Sequence, residues 1–332
     1  MTILVTGAAG FIGYHVARRL LERGDEVIGI DNLNAYYDPA LKEDRLGELR
    51  RIEGGRFAFH KIDFADHDAL TRGLAQAEFD HIVHLGAQAG VRYSIDNPQA
   101  YLSANLAGHL NLLELARHRR IAHLVYASSS SVYGGGQELP FRVENRTDHP
   151  ISLYAATKRA DELMSEAYAH LYRLPMTGLR FFTVYGPWGR PDMAMWIFTR
   201  KILAGEPIQI FNHGKMRRDF TYIDDIVSGV VAALDSPPGD DGSVKAGGSA
   251  APHALYNLGN SRSEDLMAMV ALIEEACARP ATRELLDMQP GDIEETYADI
   301  KAAERDFGFR PTTSIREGIP QFVSWFRRYH QI

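Results

Sequence analysis

The sequence predicts an α/β protein, a doubly wound parallel sheet with a smaller C-terminal α/β lobe built over the carboxyl ends of its strands. Three observations carry this. A short apolar strand, residues 2–6, runs straight into Gly7-Ala-Ala-Gly10-Phe-Ile-Gly13 and then an amphipathic helix. A second strand, 26–30, ends on the acidic Asp31. Beyond it, strand and helix patterns alternate, as the crossovers of a parallel sheet require.

The elements follow in order. Phe11, Ile12, Val16, Leu20 and Leu21 mark the apolar face of the first helix. The glycines permit a tight turn and a close backbone approach, and the helix N-terminus turns unpaired N–H groups toward a pyrophosphate. Their spacing is Gly-x-x-Gly-x-x-Gly rather than Gly-x-Gly-x-x-Gly, so Asp31 is the stronger signal. It stands where a Rossmann-type unit bonds the adenosine ribose hydroxyls, and its charge repels a 2′-phosphate, which favours NAD over NADP. Strands at 56–62 and 81–85 flank a helix at 66–77. Asp63 and Phe64 are placed to flank the adenine, and Gly86, Ala87 and Gln88 to lie along the cofactor. Asn32 and Leu85 adjoin these sites. His81 and His84 lack carboxylate company and read as structural, so no metal site is expected.

A loop at 89–98 leads to a helical pattern at 99–118, with Leu102, Leu106, Leu110 and Leu113 as its apolar side. A strand at 123–127 delivers four serines, Ser128, Ser129, Ser130 and Ser131. Ser152 is a plausible N-cap for the helix that carries Tyr154 and Lys158, which at i and i+4 share one face. Free tyrosine titrates at about 10, so service as a base near neutrality needs a shift of roughly three units, about 4 kcal/mol. An ammonium and an oxidised nicotinamide, both positive, supply that by favouring the phenolate.

A strand at 176–181 precedes residues 182–191, too rich in Gly and Pro for a regular element. Helices are expected at 194–204, 223–234, 263–277, 300–307 and 315–329, with short strands at 208–211, 220–222 and 254–258. Residues 236–252 read as a flexible surface insertion. Residues 1–180 are thus expected to bind the dinucleotide and residues 181–332 mainly the substrate, some later segments returning to the first unit.

Composition excludes several classes. The 332 residues are 45% hydrophobic and carry a net charge of −7, without a dense basic stripe, which argues against nucleic acid as a partner. No apolar run approaches the 18 or so residues of a membrane span, and the opening residues do not read as a signal peptide. The single cysteine, Cys277, precludes an intrachain disulfide and suits a cytoplasmic setting.

Gly7, Gly10, Gly13, Asp31, Ser129, Tyr154 and Lys158, in that order, resemble the extended short-chain dehydrogenases/reductases of the nucleotide-sugar epimerase and dehydratase group. The resemblance spans nearly the whole length. It sharpens at residues 154–158, 180–193, 217–225 and 289–296, which look like those of UDP-glucuronate 4-epimerases. The resemblance implies a UDP-sugar substrate, a transient 4-keto intermediate, NAD regenerated within each turnover, and a homodimer through the helices at 99–118 and 153–172. It makes Tyr154 the base, Lys158 its partner and a ribose ligand, and Ser129 a hydrogen-bond donor to the sugar oxygen, with Ser130 and Ser131 lining the pocket. Arg190 offers a bidentate guanidinium to the sugar carboxylate, beside Thr183 and Ser131, with Arg92 a second contact. Arg218 is placed at the diphosphate and Asp292 at the nucleotide end. Related dehydratases and UDP-glucuronate decarboxylases place an acidic residue just before Val-Tyr-Gly, where this chain has only serines. A UDP-glucose 4-epimerase is the nearer alternative, and an NAD-binding sensor or scaffold the non-enzymatic one.

Overall fold

The structure, a computed structural model, describes residues 1–135, 138–289 and 291–332. Pro290, inside the 289–296 motif, lies outside them. In chain order the first unit comprises β1 (Thr2–Thr6), α1 (Phe11–Arg23), β2 (Glu26–Asp31), α2 (Pro39–Arg50), β3 (Arg56–Lys61), α3 (His67–Gly73), β4 (His81–His84), α4 (Tyr93–Asp96), α5 (Pro98–Tyr101), α6 (Gly108–Arg119), β5 (His123–Ser129), α7 (Leu153–Tyr172) and β6 (Met176–Phe181). It continues with β7 (Thr183–Tyr185), α8 (Ala194–Ala204), β8 (Ile208–Ile210), β9 (Arg217–Arg218), β10 (Phe220–Tyr222), α9 (Ile223–Leu234), β11 (His253–Leu258), β12 (Glu264–Asp265), α10 (Leu266–Cys277), β13 (Arg283–Leu285), α11 (Lys301–Phe307) and α12 (Ile315–His330).

Seven strands form one sheet in the order β11-β6-β5-β4-β1-β2-β3, every neighbouring pair parallel. The direction of winding reverses between β1 and β4, which opens a crevice at their carboxyl ends. β11, from the second half of the chain, closes the sheet beside β6. The remaining strands make small pairs: β7 with β10, β9 with β12, β8 with β13. One apolar layer joins α1, α9 and α12 to one face of the sheet, while α3, α6 and α7 bury the other.

Three expectations need correction, and one helix went unread. Residues 99–118 are not one regular helix: α5 and α6 are joined by a π-helical turn, Leu102–Ala107. That turn shifts the helical phase, so Leu102 and Leu110 face outward, and Leu112 and Leu113 fill the core. The Gly/Pro-rich segment begins with a true strand, β7, fully paired to β10. Helix α2 had no apolar stripe to announce it, because two of the side chains it buries are Lys42 and Arg45. Finally, residues 236–252 pack against the body. The Ala246 carbonyl accepts from Leu255 N–H on β11, Ser249 Oγ donates to Glu166, and Arg173 pairs with Asp240.

Candidate active site

The glycine turn is set by backbone crowding. Gly7 adopts a positive φ of 66°, and a Cβ there would stand 2.7 Å from Gly86 N, because the backbone leaving β4 passes close beside the end of β1. A Cβ on Gly13 would stand 2.0 Å from the Gly7 carbonyl. Only glycine fits, and α1 has no side-chain cap on its first N–H groups. A dinucleotide pyrophosphate matches that cradle of free donors.

The turn opens onto a cavity of about 550 Å³ that runs along the carboxyl ends of β1, β2, β4 and β5. Gly7, Gly10, Phe11, Ile12, Gly13, Asp31, Asn32, Asp63, Phe64, Leu85, Gly86, Ala87, Gln88, Tyr154 and Lys158 all line it. Every cofactor residue expected from sequence is therefore in one place. Asp31 accepts from Leu33 N–H at 2.8 Å and lies 3.6 Å from Lys42 Nζ. That ammonium, missed with α2, offsets part of the charge expected to repel a 2′-phosphate. Thr6 Oγ1 accepts from Gly86 N–H and hydrogen-bonds His84 Nδ1, which keeps His84 structural.

Ser152 Oγ accepts from Ala155 N–H and starts α7, as expected. Tyr154 and Lys158 then face the cavity, with the Tyr101 ring edge-on to Tyr154 at 6.0 Å. Lys158 Nζ donates to the Ala127 carbonyl and to Asp161 Oδ2, each at 3.0 Å. The serines divide. Ser129 lines the cavity and its Oγ accepts from Ser131 N–H at 3.2 Å; Ser130 and Ser131 enter the short 3-10 turn that follows. Ser128 donates at 2.7 Å to Glu162, which receives both forks of the buried Arg180 at 2.8 and 2.9 Å.

The substrate candidates fall into two groups. Arg190 lines the same cavity as Tyr154, but its Nε and Nη2 are committed to Asp192 at 3.0 and 2.5 Å. Against the effect of burial, that guanidinium holds the Asp192 carboxyl below the usual carboxylate range. The fork expected to be open to a sugar carboxylate is thus held by a resident one, leaving Nη1. Arg92, Arg218 and Asp292 gather elsewhere: Arg92 donates to Asp292 at 3.1 Å and stacks over Phe211, while Asp292 offsets part of the burial that lowers the Arg218 pKa. Thr183, at the start of β7, donates its N–H to the Asp219 carbonyl.

Several lining residues escaped the sequence reading: Tyr36, Tyr93, Lys42 and Met193. Arg45 is equally informative. Wholly buried, it donates to the carbonyls of Ala9, Trp188 and Gly189, and so ties the glycine turn to the segment that presents Arg190. Among the described residues, no group of three or more His, Cys, Asp or Glu is placed to hold a metal.

The model of the NAD dependent epimerase/dehydratase family matches residues 3–247. The chain belongs to that family. A probable UDP-glucuronate 4-epimerase of Rhizobium meliloti is 46% identical to this epimerase/dehydratase, covering 99% of each chain. UDP-glucuronate 4-epimerase 4 of Arabidopsis thaliana is 47% identical over 99% of this chain and 76% of its own. Among solved structures, UDP-glucuronic acid 4-epimerase from Bacillus cereus, in complex with UDP-glucuronic acid and NAD, superimposes with a TM-score of 0.88 at 32% identity, covering 99% and 100%.

Proposed function

We propose that this protein interconverts UDP-glucuronate and UDP-galacturonate by NAD-dependent epimerisation at C4. The observation that carries the reading is that Tyr154, Lys158, Ser129 and Arg190 line the cavity that also holds the whole dinucleotide-binding set. The relatives named for UDP-glucuronate support it.

NAD, when bound, would accept the hydride from C4 and give it back to the opposite face of the ketone. The chain's own groups do the rest. Tyr154 takes the proton of the 4-hydroxyl and returns it to the epimerised oxygen. Lys158 favours the phenolate and keeps one of its three N–H donors for the nicotinamide ribose, the other two being held by Ala127 and Asp161. Ser129 Oγ hydrogen-bonds the reacting oxygen.

A hexuronate 4-ketone is a β-keto acid, prone to lose carbon dioxide. Arg190 Nη1 and Thr183 restrain the carboxylate, which either shares Arg190 with Asp192 or displaces it. Arg92, Arg218 and Asp292 bind the nucleotide end. The functional division is residues 1–180 for NAD and mainly 181–332 for substrate.

Exposed Leu102, Leu110, Leu163, Leu171 and Tyr172 on the helices at 99–118 and 153–172 support a homodimer through that face. The setting we assign is cytoplasmic polysaccharide precursor synthesis, which the lone buried cysteine suits.

Proton NMR of UDP-glucuronate incubated with the NAD-loaded protein, without added reductant, tests the reading. Galacturonosyl anomeric signals are expected, together with slower or no turnover of UDP-glucose. Preferred turnover of UDP-glucose, release of a UDP-pentose, or no turnover would refute it.

A further inference from the structure

The catalytic lysine carries a partner that the epimerisation does not obviously need. Asp161 lies one turn further along α7, 1% exposed, with Oδ2 at 3.0 Å from Lys158 Nζ. Its Oδ1 is buried and has no hydrogen-bond partner among the described residues. We propose that Asp161 is a positioning residue: it anchors Lys158 and reduces the positive field that Lys158 exerts on Tyr154, keeping the phenol able both to take the sugar proton and to return it.

The neighbours leave this pair as the adjustable charge. Behind it, α6 contributes His109, β4 His84, β5 Tyr126 and β6 Arg180, while α7 itself adds Glu162 and Tyr154. Burial, reinforced by Lys158, pushes His109 down to about 3 and His84 well below its usual value, so both are neutral near pH 7. Burial raises Tyr126 well above the usual phenol range, so it too stays neutral. Arg180 and Glu162 compensate each other through two hydrogen bonds. The charge felt by Tyr154 from behind is therefore that of Lys158 less that of Asp161; on the cavity side it faces Arg190, whose charge is offset by Asp192, and the neutral phenol of Tyr101. Burial lifts the Asp161 carboxyl to about 6 against the pull of Lys158, so it is largely ionised at neutrality.

The chemistry gives such a partner a reason to exist. An oxidation that reverses within the site needs one group to be base in the first half and acid in the second, which works best when its proton affinity lies near the operating pH. An uncompensated ammonium beside a cationic nicotinamide would overstabilise the phenolate and make it a poor base. A carboxylate on the ammonium opposes that.

The inference rests on the proposed reaction, whose failure would already show in the wild-type NMR assay. The test compares kcat against pH for the wild-type holoenzyme and Asp161→Asn. The acid limb of the variant is expected about one pH unit lower, the size of a buried charge acting several ångströms away. Its plateau should fall about threefold, as the weaker base predicts. Asp161→Ser should move the limb the same way. Coincident limbs with lower thermal stability would make Asp161 merely structural and overturn the proposal; a limb moved upward, or failure of both variants to fold, would do the same.

Discussion

Glu162 and Arg180 offer a quantitative test of how the serine-bearing ends of the sheet are held. Both side chains are essentially inaccessible, at 0% and 2% exposure. Arg180 gives Nε and Nη2 to the two carboxylate oxygens and Nη1 to Tyr133 Oη and the Val143 carbonyl; Glu162 also accepts from Ser128 and Arg159. Against the cost of burial, Arg180 holds the Glu162 carboxyl below its usual range. Glu162→Met leaves a guanidinium buried with two neutral acceptors, and removing one partner of such a pair costs about 3–5 kcal/mol. Arg180→Met leaves the carboxylate with Arg159 and Ser128, so its cost should be smaller than that of Glu162→Met. The double variant removes both desolvated charges, and hydrophobic replacement of a whole buried pair is often close to neutral, so it should lie within about 2 kcal/mol of wild type. Urea denaturation followed by circular dichroism gives all three values. Single variants costing under about 1 kcal/mol, or a double variant as unstable as the sum of the singles, would refute the idea that mutual compensation keeps these charges inside.

Two further outcomes follow from the geometry. Gly13→Ala pushes a methyl into the Gly7 carbonyl, so the variant should bind added NAD much more weakly than wild type; equal affinity in a calorimetric titration would contradict the cradle. His15 and His109, each pushed to about 3 by burial, and His123, pushed to about 4 by burial, stay neutral in the fold while their unfolded counterparts protonate near 6.5. At these three sites the unfolded chain binds more protons throughout that window, so they lower stability as pH drops from about 6.5 toward 4, each by about 1.4 kcal/mol per pH unit, opposed in part below about pH 6 by Asp161 and Asp219, whose carboxyls burial raises to about 6. Denaturation midpoints at pH 7 and pH 5 check the sign.

The central sheet, and the glycine turn and acidic strand end that line its cavity, were legible because local chemistry dictates them. A strand of Ile, Leu and Val, a glycine turn that tolerates no Cβ, and an acidic residue ending β2 need no distant information. What was missed depends on partners far along the chain. Helix α2 buries Arg45 because carbonyls of Ala9, Trp188 and Gly189 converge on it, which no apolar pattern encodes. The leucines at 102 and 110 misled because the π-helical turn breaks the phase that the spacing assumes. Asp192, two residues from Arg190, was visible in the motif, but only the fold shows that it occupies the guanidinium expected to be free. Two-residue strands such as β9 and β12 are too short for any periodicity to appear.

The segment that crosses β11 bears on how these molecules meet one another. A parallel sheet ends in two rows of unsatisfied peptide groups, either of which can template a strand from another chain. At the β11 margin Ala246 already caps Leu255. At the β3 margin the row is guarded by charge instead, with exposed Arg56 and Lys61 and an Arg56–Glu26 pair. With both margins guarded, self-association by sheet extension is disfavoured.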